Sequence, residues 1–151
     1  MAQALLNKDI MRHIFFFCLL VSFLLPSQQV VSGVGPTTML YFYQDGCPWC
    51  ARMDIVLRDA EVAALLARHN RVIRVNVRDR RIIPGLHMSG EALVKRFGVK
   101  GTPTILFIDG AGKILLTIPG ALGREDFLDV VCASQAEMQE EKACRSRGEG
   151  L

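Results

Sequence analysis

Two cysteines separated by two residues, in Cys47-Pro48-Trp49-Cys50, restrict the fold of this chain more than any other feature. They follow an apolar run over residues 39–43 and precede a helical pattern that begins near Cys50. The pair is therefore expected at a turn from a strand into a helix. There, the unpaired N–H groups and the dipole of the helix stabilise a thiolate on Cys47. Cys50 lies one turn further along and is expected to be more shielded.

This difference predicts that Cys47 is the attacking nucleophile and that Cys50 resolves the mixed disulfide. A CxxC pair also occurs as half of a zinc site or as an inert structural disulfide. A zinc site needs a second close pair of ligands, which Cys132 and Cys144 do not supply. We therefore favour a working redox pair that uses neither a metal nor another cofactor.

An apolar run over residues 14–25, with Arg12 just before it, indicates export. A helix that spans a bilayer needs about 20 apolar residues, so this run is short. A polar segment and the small residue Gly33 follow it, as at a secretory cleavage site. We predict a signal peptide over residues 1–33, with an uncleaved membrane anchor or a buried helix as the alternatives. Cysteines of an exported chain meet an oxidising compartment.

The charge of the chain gives no indication of a nucleic-acid partner. The formal net charge is +3 at pH 7, and the length of 151 residues fits one domain. Arg78, Arg80 and Arg81 cluster, but they flank a predicted turn, and a solvated loop is the simpler interpretation. We place the domain at residues 34–141 and a flexible tail at residues 142–151.

Strand and helix patterns alternate along the first half of the domain. The apolar run over residues 38–43 is typical of a central strand that is covered on both faces. Helical spacing follows Cys50 and continues over residues 60–69, where Asp59 is a candidate cap. A β-branched strand over residues 72–77 should run parallel to the first strand through a right-handed crossover.

The second half begins with a predicted loop over residues 78–90 and a short helix over 91–97 that Gly98 ends. The Thr102-Pro103 step leads into an apolar strand, and a tight turn then predicts an antiparallel hairpin to Ile118. An amphipathic helix is predicted from residue 125 to about residue 141. If that helix persists, the tail would have to fold back to bring the Cα atoms of Cys132 and Cys144 within about 7 Å, so a bridge between them is doubtful. Cys132 is expected to be a buried small hydrophobic residue rather than a redox partner.

With these motifs placed, the chain resembles the thioredoxin superfamily. Residues 97–104 resemble the family's stretch around its cis-proline, and residues 118–122 resemble the glycine turn after its last strand. The resemblance covers residues 37–132 and implies an α/β, minimal thioredoxin-like fold, with a mixed four-stranded sheet flanked by helices. Among subfamilies, the chain is most similar to exported bacterial proteins of the SoxW type, in its Gly-Cys-Pro-x-Cys and Gly-Thr-Pro-Thr motifs.

The resemblance implies a site and a function. Pro103 is expected to be cis and to place the Thr102 backbone beside the dithiol, where an extended substrate segment can pair with it. Gly120 is expected to leave a flat surface for the substrate. Trp49, between the cysteines, is either a platform for the substrate or simply a half-exposed aromatic residue. Cys47 and Cys50 would carry the exchange.

The implied function is a periplasmic thiol-disulfide oxidoreductase that acts on protein disulfides or dithiols. We expect it to be a reductase that receives electrons from a membrane thiol-transfer protein. A thiol oxidase or isomerase and a non-catalytic binding module are the alternatives.

The sequence departs from ordinary thioredoxin in several places. Tyr41 stands where thioredoxin has an aspartate that assists proton transfer, so Cys50 must lose its proton to water or to another group. The dipeptide Pro48-Trp49 replaces Gly-Pro, and little chain precedes residue 38 after the predicted signal peptide. Related dithiols span potentials of about −270 to −120 mV, and we expect an intermediate value.

Overall fold

A computed structural model describes residues 37–148 of the chain. The signal peptide or anchor predicted for residues 1–33 lies outside the described residues. Within residues 37–148, none of the helices combines the length and apolar character needed to cross a bilayer. In chain order, the elements are β1 (Thr37–Tyr43), α1 (Pro48–Arg58), α2 (Ala60–His69), β2 (Asn70–Asn76), β3 (Ile82–Ile83), β4 (Met88–Ser89), α3 (Gly90–Phe97), β5 (Thr104–Ile108), β6 (Ile114–Pro119), α4 (Arg124–Ser134), a 3-10 turn (Ala136–Met138) and α5 (Lys142–Gly148).

Four strands form a mixed sheet in the order β2-β1-β5-β6. β1 runs parallel to β2 and antiparallel to β5, and β5 and β6 form an antiparallel hairpin. The predicted parallel pair, the hairpin and the four-stranded mixed sheet are therefore confirmed. The predicted loop over residues 78–90 additionally holds a small hairpin of β3 and β4.

Both faces of the sheet are covered, because side chains alternate between the two faces along each central strand. From β1, Met39 and Tyr41 join one apolar cluster with residues of α1, α2 and α4. Leu40 and Phe42 join a second cluster on the opposite face, where Leu93 of α3 packs. All four β1 side chains are fully buried. The continuous apolar pattern of residues 39–42 thus reflects a strand at the centre of the fold.

Capping residues fix where the helices begin and end. Asp59 ends α1 and begins α2, and its carboxylate accepts hydrogen bonds from the N–H groups of Glu61 and Val62 at 3.1 and 3.2 Å. This confirms the predicted cap. Gly98 ends α3 in the left-handed conformation, with φ of 65°, which also agrees with the sequence-based expectation.

The C-terminal region differs from the prediction. α4 ends at Ser134 rather than near residue 141, and Gln135 adopts an extended conformation before the 3-10 turn. The chain then reverses, so Cys144 at the start of α5 reaches Cys132, and the two form a disulfide with Cα atoms 5.4 Å apart. The expectation that this bridge is doubtful is wrong, because the helix ends at Ser134 and the chain folds back. Cys132 is buried, as predicted.

α5 also occupies part of the segment that was predicted as a flexible tail. Met138, fully buried in the reversal, belongs to the same apolar cluster as Cys132 and Cys144. Glu141 pairs with Arg68 and His69 of α2, at 2.9 and 2.8 Å. The disulfide, the buried methionine and these contacts of Glu141 hold the reversal against the body of the fold.

The disulfide leads to a prediction about stability. Replacing Cys132 and Cys144 together with alanine should lower the free energy of unfolding by roughly 3 kcal/mol, because the bridge closes a loop with a sequence separation of 12. Denaturant unfolding of both proteins under non-reducing conditions measures the difference. An unchanged free energy of unfolding would contradict a constraining role for the bridge.

A second prediction concerns the packing of α3 against β2. A Cβ atom at Gly90 would overlap the backbone carbonyl oxygen of Asn76, whereas a Cβ at Gly101 would meet open space. Gly90→Ala should therefore lower the free energy of unfolding by about 1–3 kcal/mol, as overpacking does. Gly101→Ala is the matched control and should leave stability unchanged or slightly raised. Equal effects of the two substitutions in denaturant unfolding would contradict this packing.

Candidate active site

The two cysteines of the CxxC segment lie at the N-terminus of α1. Cys47 is the cap of this helix, and its Sγ accepts a hydrogen bond from the backbone N–H of Cys50 at 3.2 Å. Pro48 occupies the first helical turn, where its missing N–H is not needed. The two cysteines form a disulfide with Cα atoms 5.2 Å apart. Cys47 is half-buried while Cys50 is only 3% exposed, so the two sulfurs differ in accessibility as expected.

Thr102 lies against the sulfur of Cys47. Its hydroxyl donates a hydrogen bond to the Cys47 Sγ at 3.6 Å, and its carbonyl oxygen lies 3.7 Å from the same sulfur. The peptide bond between Thr102 and Pro103 is cis, the isomer that the resemblance implied. A sulfur that accepts from an N–H and from a hydroxyl is well placed to carry negative charge once the disulfide is reduced.

A shallow groove of about 270 Å³ continues from Pro103 towards the end of β6. Its walls include Thr102, Pro103 and Gly120, and the N–H of Gly120 donates to the carbonyl oxygen of Pro103 at 2.9 Å. Gly120 has φ of 81°, and no other atom lies near the position of a Cβ. The structure thus brings three of the predicted site residues into one open surface.

Trp49 projects from the turn between the two cysteines. It is 56% exposed, and the guanidinium of Arg52 lies 4.7 Å from the centre of its ring. A cation over an indole face restrains the ring. The side chain therefore presents an apolar surface next to the dithiol, whether or not a substrate uses it.

Tyr41 lies under the dithiol, at the position where thioredoxin has an aspartate. Its hydroxyl donates a hydrogen bond to the carbonyl oxygen of Cys50 at 3.0 Å. Burial, followed by the charge of Asp54, raises the pKa of Tyr41, so the hydroxyl stays protonated. Tyr41 thus fastens the helical turn that carries Cys50.

Asp54 and Arg74 form an ion pair beside this tyrosine. The guanidinium donates two hydrogen bonds to the carboxylate, at 2.7 and 3.2 Å, and lies over the rings of Tyr41 and Tyr43. These hydrogen bonds hold the pKa of Asp54 below its usual value, so the carboxylate is ionised. Sequence reasoning missed both residues. One available signal was the position of Asp54, one turn after Cys50.

A cleft of about 450 Å³ opens from the dithiol to solvent. Cys47, Cys50, Asp54 and Arg74 all line it, together with residues of the turn that precedes Cys47. Asp45 in that turn is held by the amide of Asn76 at 2.9 Å. Among the described residues, the cleft and the Pro103 groove have no lining residue in common.

Other sequence-predicted features lie away from the chemistry. Arg80 pairs with Glu91 and Arg81 pairs with Asp79 on the surface, which agrees with a solvated loop. Among residues 37–148, no group of three or more histidine, cysteine, aspartate or glutamate side chains is arranged to hold a metal ion.

Comparison with known proteins identifies the family. Residues 26–134 match the model of a thioredoxin-like domain. The chain belongs to the thioredoxin-like family. This confirms the resemblance to the superfamily and the α/β fold. A thioredoxin-like fold with this cysteine pair is the framework of a thiol-disulfide oxidoreductase.

Solved structures agree with this family assignment. The chain is 30% identical to a thioredoxin from Thermus thermophilus, over 77% of this chain and 82% of that one, with a TM-score of 0.51. A thioredoxin-fold protein from Helicobacter pylori is 21% identical over 75% and 80%, with a TM-score of 0.56. A structure described as DsbH oxidoreductase is 23% identical over 65% and 71%, with a TM-score of 0.53. These last two likenesses concern the fold alone. No curated protein matches the sequence.

The contacts of Cys47 lead to a prediction. Thr102→Val removes a hydroxyl donor but keeps the shape of the side chain, so it should raise the pKa of the reduced Cys47 thiol. The lost hydrogen bond stabilises the thiolate by about 0.5–1 kcal/mol. Because only the thiolate reacts, alkylation of Cys47 near neutral pH should become about threefold slower. Rates of iodoacetamide reaction across pH measure this effect.

Thr117→Val is the matched control, because Thr117 lines the groove without contributing to the dithiol turn. A thiol in Thr102→Val that reacts as fast as in the unmodified protein would show that the hydroxyl does not act on the sulfur.

Proposed function

We propose that this protein is an exported thiol-disulfide oxidoreductase that reduces disulfides of periplasmic proteins. One observation carries the proposal: an accessible sulfur, Cys47, begins a helix and accepts hydrogen bonds, while its partner Cys50 is buried behind it. The first sulfur can reach a protein substrate, and the second can reach only the first. That arrangement suits a two-step exchange through a mixed disulfide.

In the first step, the Cys47 thiolate attacks one sulfur of the substrate disulfide. That disulfide breaks, a bond forms between Cys47 and the attacked sulfur, and the departing substrate thiolate takes a proton from water. In the second step, Cys50 loses its proton and attacks the Cys47 sulfur, which releases the second substrate thiol. Two electrons pass to the substrate, and the protein is left with the Cys47–Cys50 disulfide.

A second exchange regenerates the dithiol. A dithiol on a membrane thiol-transfer protein attacks the Cys47–Cys50 disulfide and becomes oxidised as this protein becomes reduced. The half-buried Cys47 is the sulfur that such a donor can reach. The similarity of the Gly-Cys-Pro-x-Cys and Gly-Thr-Pro-Thr segments to exported SoxW-type proteins supports this donor and this direction. The signal-like segment over residues 1–33 supports a periplasmic location.

Substrate binding would use the open surface on the Pro103 side. An extended substrate segment can pair with the Thr102 backbone beside Cys47, in the manner of strand addition. The exposed ring of Trp49 and the open surface at Gly120 are then available for contact with the segment. Backbone pairing accepts many sequences, which suits a protein that acts on several clients.

A second candidate is a thiol oxidase or isomerase of exported proteins. The two hydrogen bonds to the Cys47 sulfur favour it, since stabilising a thiolate stabilises the reduced form and makes the disulfide a stronger oxidant. The potential of the dithiol separates the two functions. A value near about −270 mV fits a reductase, and a value near about −120 mV fits an oxidase.

The proposed activity can be tested with insulin and a chemical reductant. Cys47→Ser should abolish catalysed insulin reduction, because no other described sulfur can begin the exchange at this site. Cys50→Ser should instead accumulate a covalent mixed disulfide with the substrate, visible on a non-reducing gel.

The double variant Cys132→Ala, Cys144→Ala is the matched control. It removes the buried disulfide and should keep the activity, assayed at a temperature where it remains folded. Full activity in Cys47→Ser would end the proposal, and substrate capture that survives loss of both Cys47 and Cys50 would instead indicate a binding module.

A further inference from the structure

We propose that Asp54 and Arg74 are positioning residues that set the redox equilibrium of the Cys47–Cys50 pair, by balancing two opposite charges beside the sulfurs. The inference deepens the proposed function, since it concerns the same dithiol. It depends neither on the identity of the substrate nor on the direction of electron flow.

The geometry places both charges at the dithiol. Asp54 follows Cys50 by one turn of α1, and side chains four apart on a helix are neighbours, with Cβ atoms about 5–6 Å apart. Arg74 lies on β2 directly opposite Tyr41 of β1, under the same helix. Asp54, Arg74 and both cysteines line one cleft. The ion pair therefore lines the same cleft as the two cysteines.

The pair is held in place from two sides. The Arg74 guanidinium lies 4.9 Å from the ring centre of Tyr41 and 4.6 Å from that of Tyr43. Tyr41 in turn donates its hydroxyl hydrogen to the carbonyl oxygen of Cys50. The chain of contacts from guanidinium to ring to the turn of Cys50 keeps the charges at a fixed distance from the dithiol.

Stability alone does not account for this arrangement. The side chains of Arg74 and Asp54 are 48% and 22% exposed, and ion pairs of that exposure add little to folding. A charge beside a thiol has a larger consequence, because it acts on the thiolate of the reduced form and not on the neutral disulfide. A positive charge favours the reduced form, and a negative charge favours the disulfide. Together, the two charges largely cancel.

Other polar groups face the same sulfurs and stay constant in the test. The turn before the cysteines brings Asp45 into the cleft, and β1 brings Tyr43. The N–H of Cys50 and the hydroxyl of Thr102 donate to the Cys47 sulfur. None of these groups is removed when Asp54 or Arg74 is replaced.

The experiment compares Asp54→Asn, Arg74→Gln and the double variant with the unmodified protein. Each full chain is equilibrated with glutathione or dithiothreitol buffers, so that the protein disulfide takes two electrons and becomes a dithiol while the buffer thiols form a disulfide. Trapping with an alkylating reagent and measuring the mass give the reduced fraction, and alkylation rates across pH report on the Cys47 thiol.

Asp54→Asn leaves Arg74 unopposed and should shift the equilibrium about tenfold towards the dithiol, with a lower pKa for the Cys47 thiol. Arg74→Gln leaves Asp54 unopposed and should shift it about tenfold towards the disulfide, with a higher pKa. Tenfold corresponds to about 30 mV in potential. The double variant should return to within about threefold of the unmodified protein.

Two controls separate this role from a structural one. Arg80→Gln and Glu91→Gln break another ion pair, outside the dithiol cleft, and should leave the equilibrium within about twofold. Asp54→Glu retains the negative charge and should show the same equilibrium as the unmodified protein. If Asp54→Asn folds poorly, the expected shift of Arg74→Gln towards the disulfide still tests the proposal.

Shifts of the same sign in Asp54→Asn and Arg74→Gln, or no shift in either, would overturn the proposal, because a merely structural pair cannot give opposite signs. The redox titration does not require turnover. Opposite shifts in a protein that fails to reduce insulin would sustain this inference while removing the proposed function, and the converse result would do the reverse.

Discussion

The redox site is built on one contact at the start of α1, where the sulfur of Cys47 accepts a hydrogen bond from the N–H of Cys50. Cys47 caps α1 and also forms the disulfide with Cys50. One sulfur atom therefore both stabilises the N-terminus of the helix and takes part in thiol-disulfide exchange. Sulfur is a weaker acceptor than the oxygen of serine or aspartate, the usual caps. The helix is instead anchored by its buried face, where Met53 and Val56 pack against the sheet. The position of α1 is therefore held by its buried face and does not require the Cys47–Cys50 disulfide to stay closed.

The central strand β1 organises both sides of this site. Its end leads directly into the turn that bears the cysteines, and its Tyr41 supports the turn from below. A buried tyrosine cannot serve as the proton acceptor that an aspartate provides in thioredoxin, because burial keeps its hydroxyl protonated. The charged side chains that line the cleft with the dithiol include Asp54 of α1 and Arg74 of β2. The departure seen in the sequence at Tyr41 is thus accompanied by an ion pair on two neighbouring elements.

Local patterns in the sequence were sufficient for most of the fold. The apolar strand, the Asp59 cap, the left-handed Gly98 and the closing hairpin each depend on neighbouring residues, so periodicity and turn chemistry revealed them. The end of α4 at Ser134 could not be predicted from the sequence, because residues 135–141 contain no glycine or proline that would stop a helix. Burial of Met138 decides that reversal, and burial is a tertiary property. Asp54 and Arg74 were missed for a similar reason, since they meet only through the register of β1 against β2 and the contact of α1 with β1.

Two disulfides in one small domain raise a problem of selectivity, because a reductant able to open one could also cut the other. Exchange requires a thiolate to approach a sulfur along the axis of the bond that breaks. Cys132 and Cys144 are only 7% and 6% exposed, whereas Cys47 is half-buried and therefore more accessible. Burial therefore slows thiol exchange at the Cys132–Cys144 bond relative to the Cys47–Cys50 bond, so a reductant can act on one disulfide without opening the other.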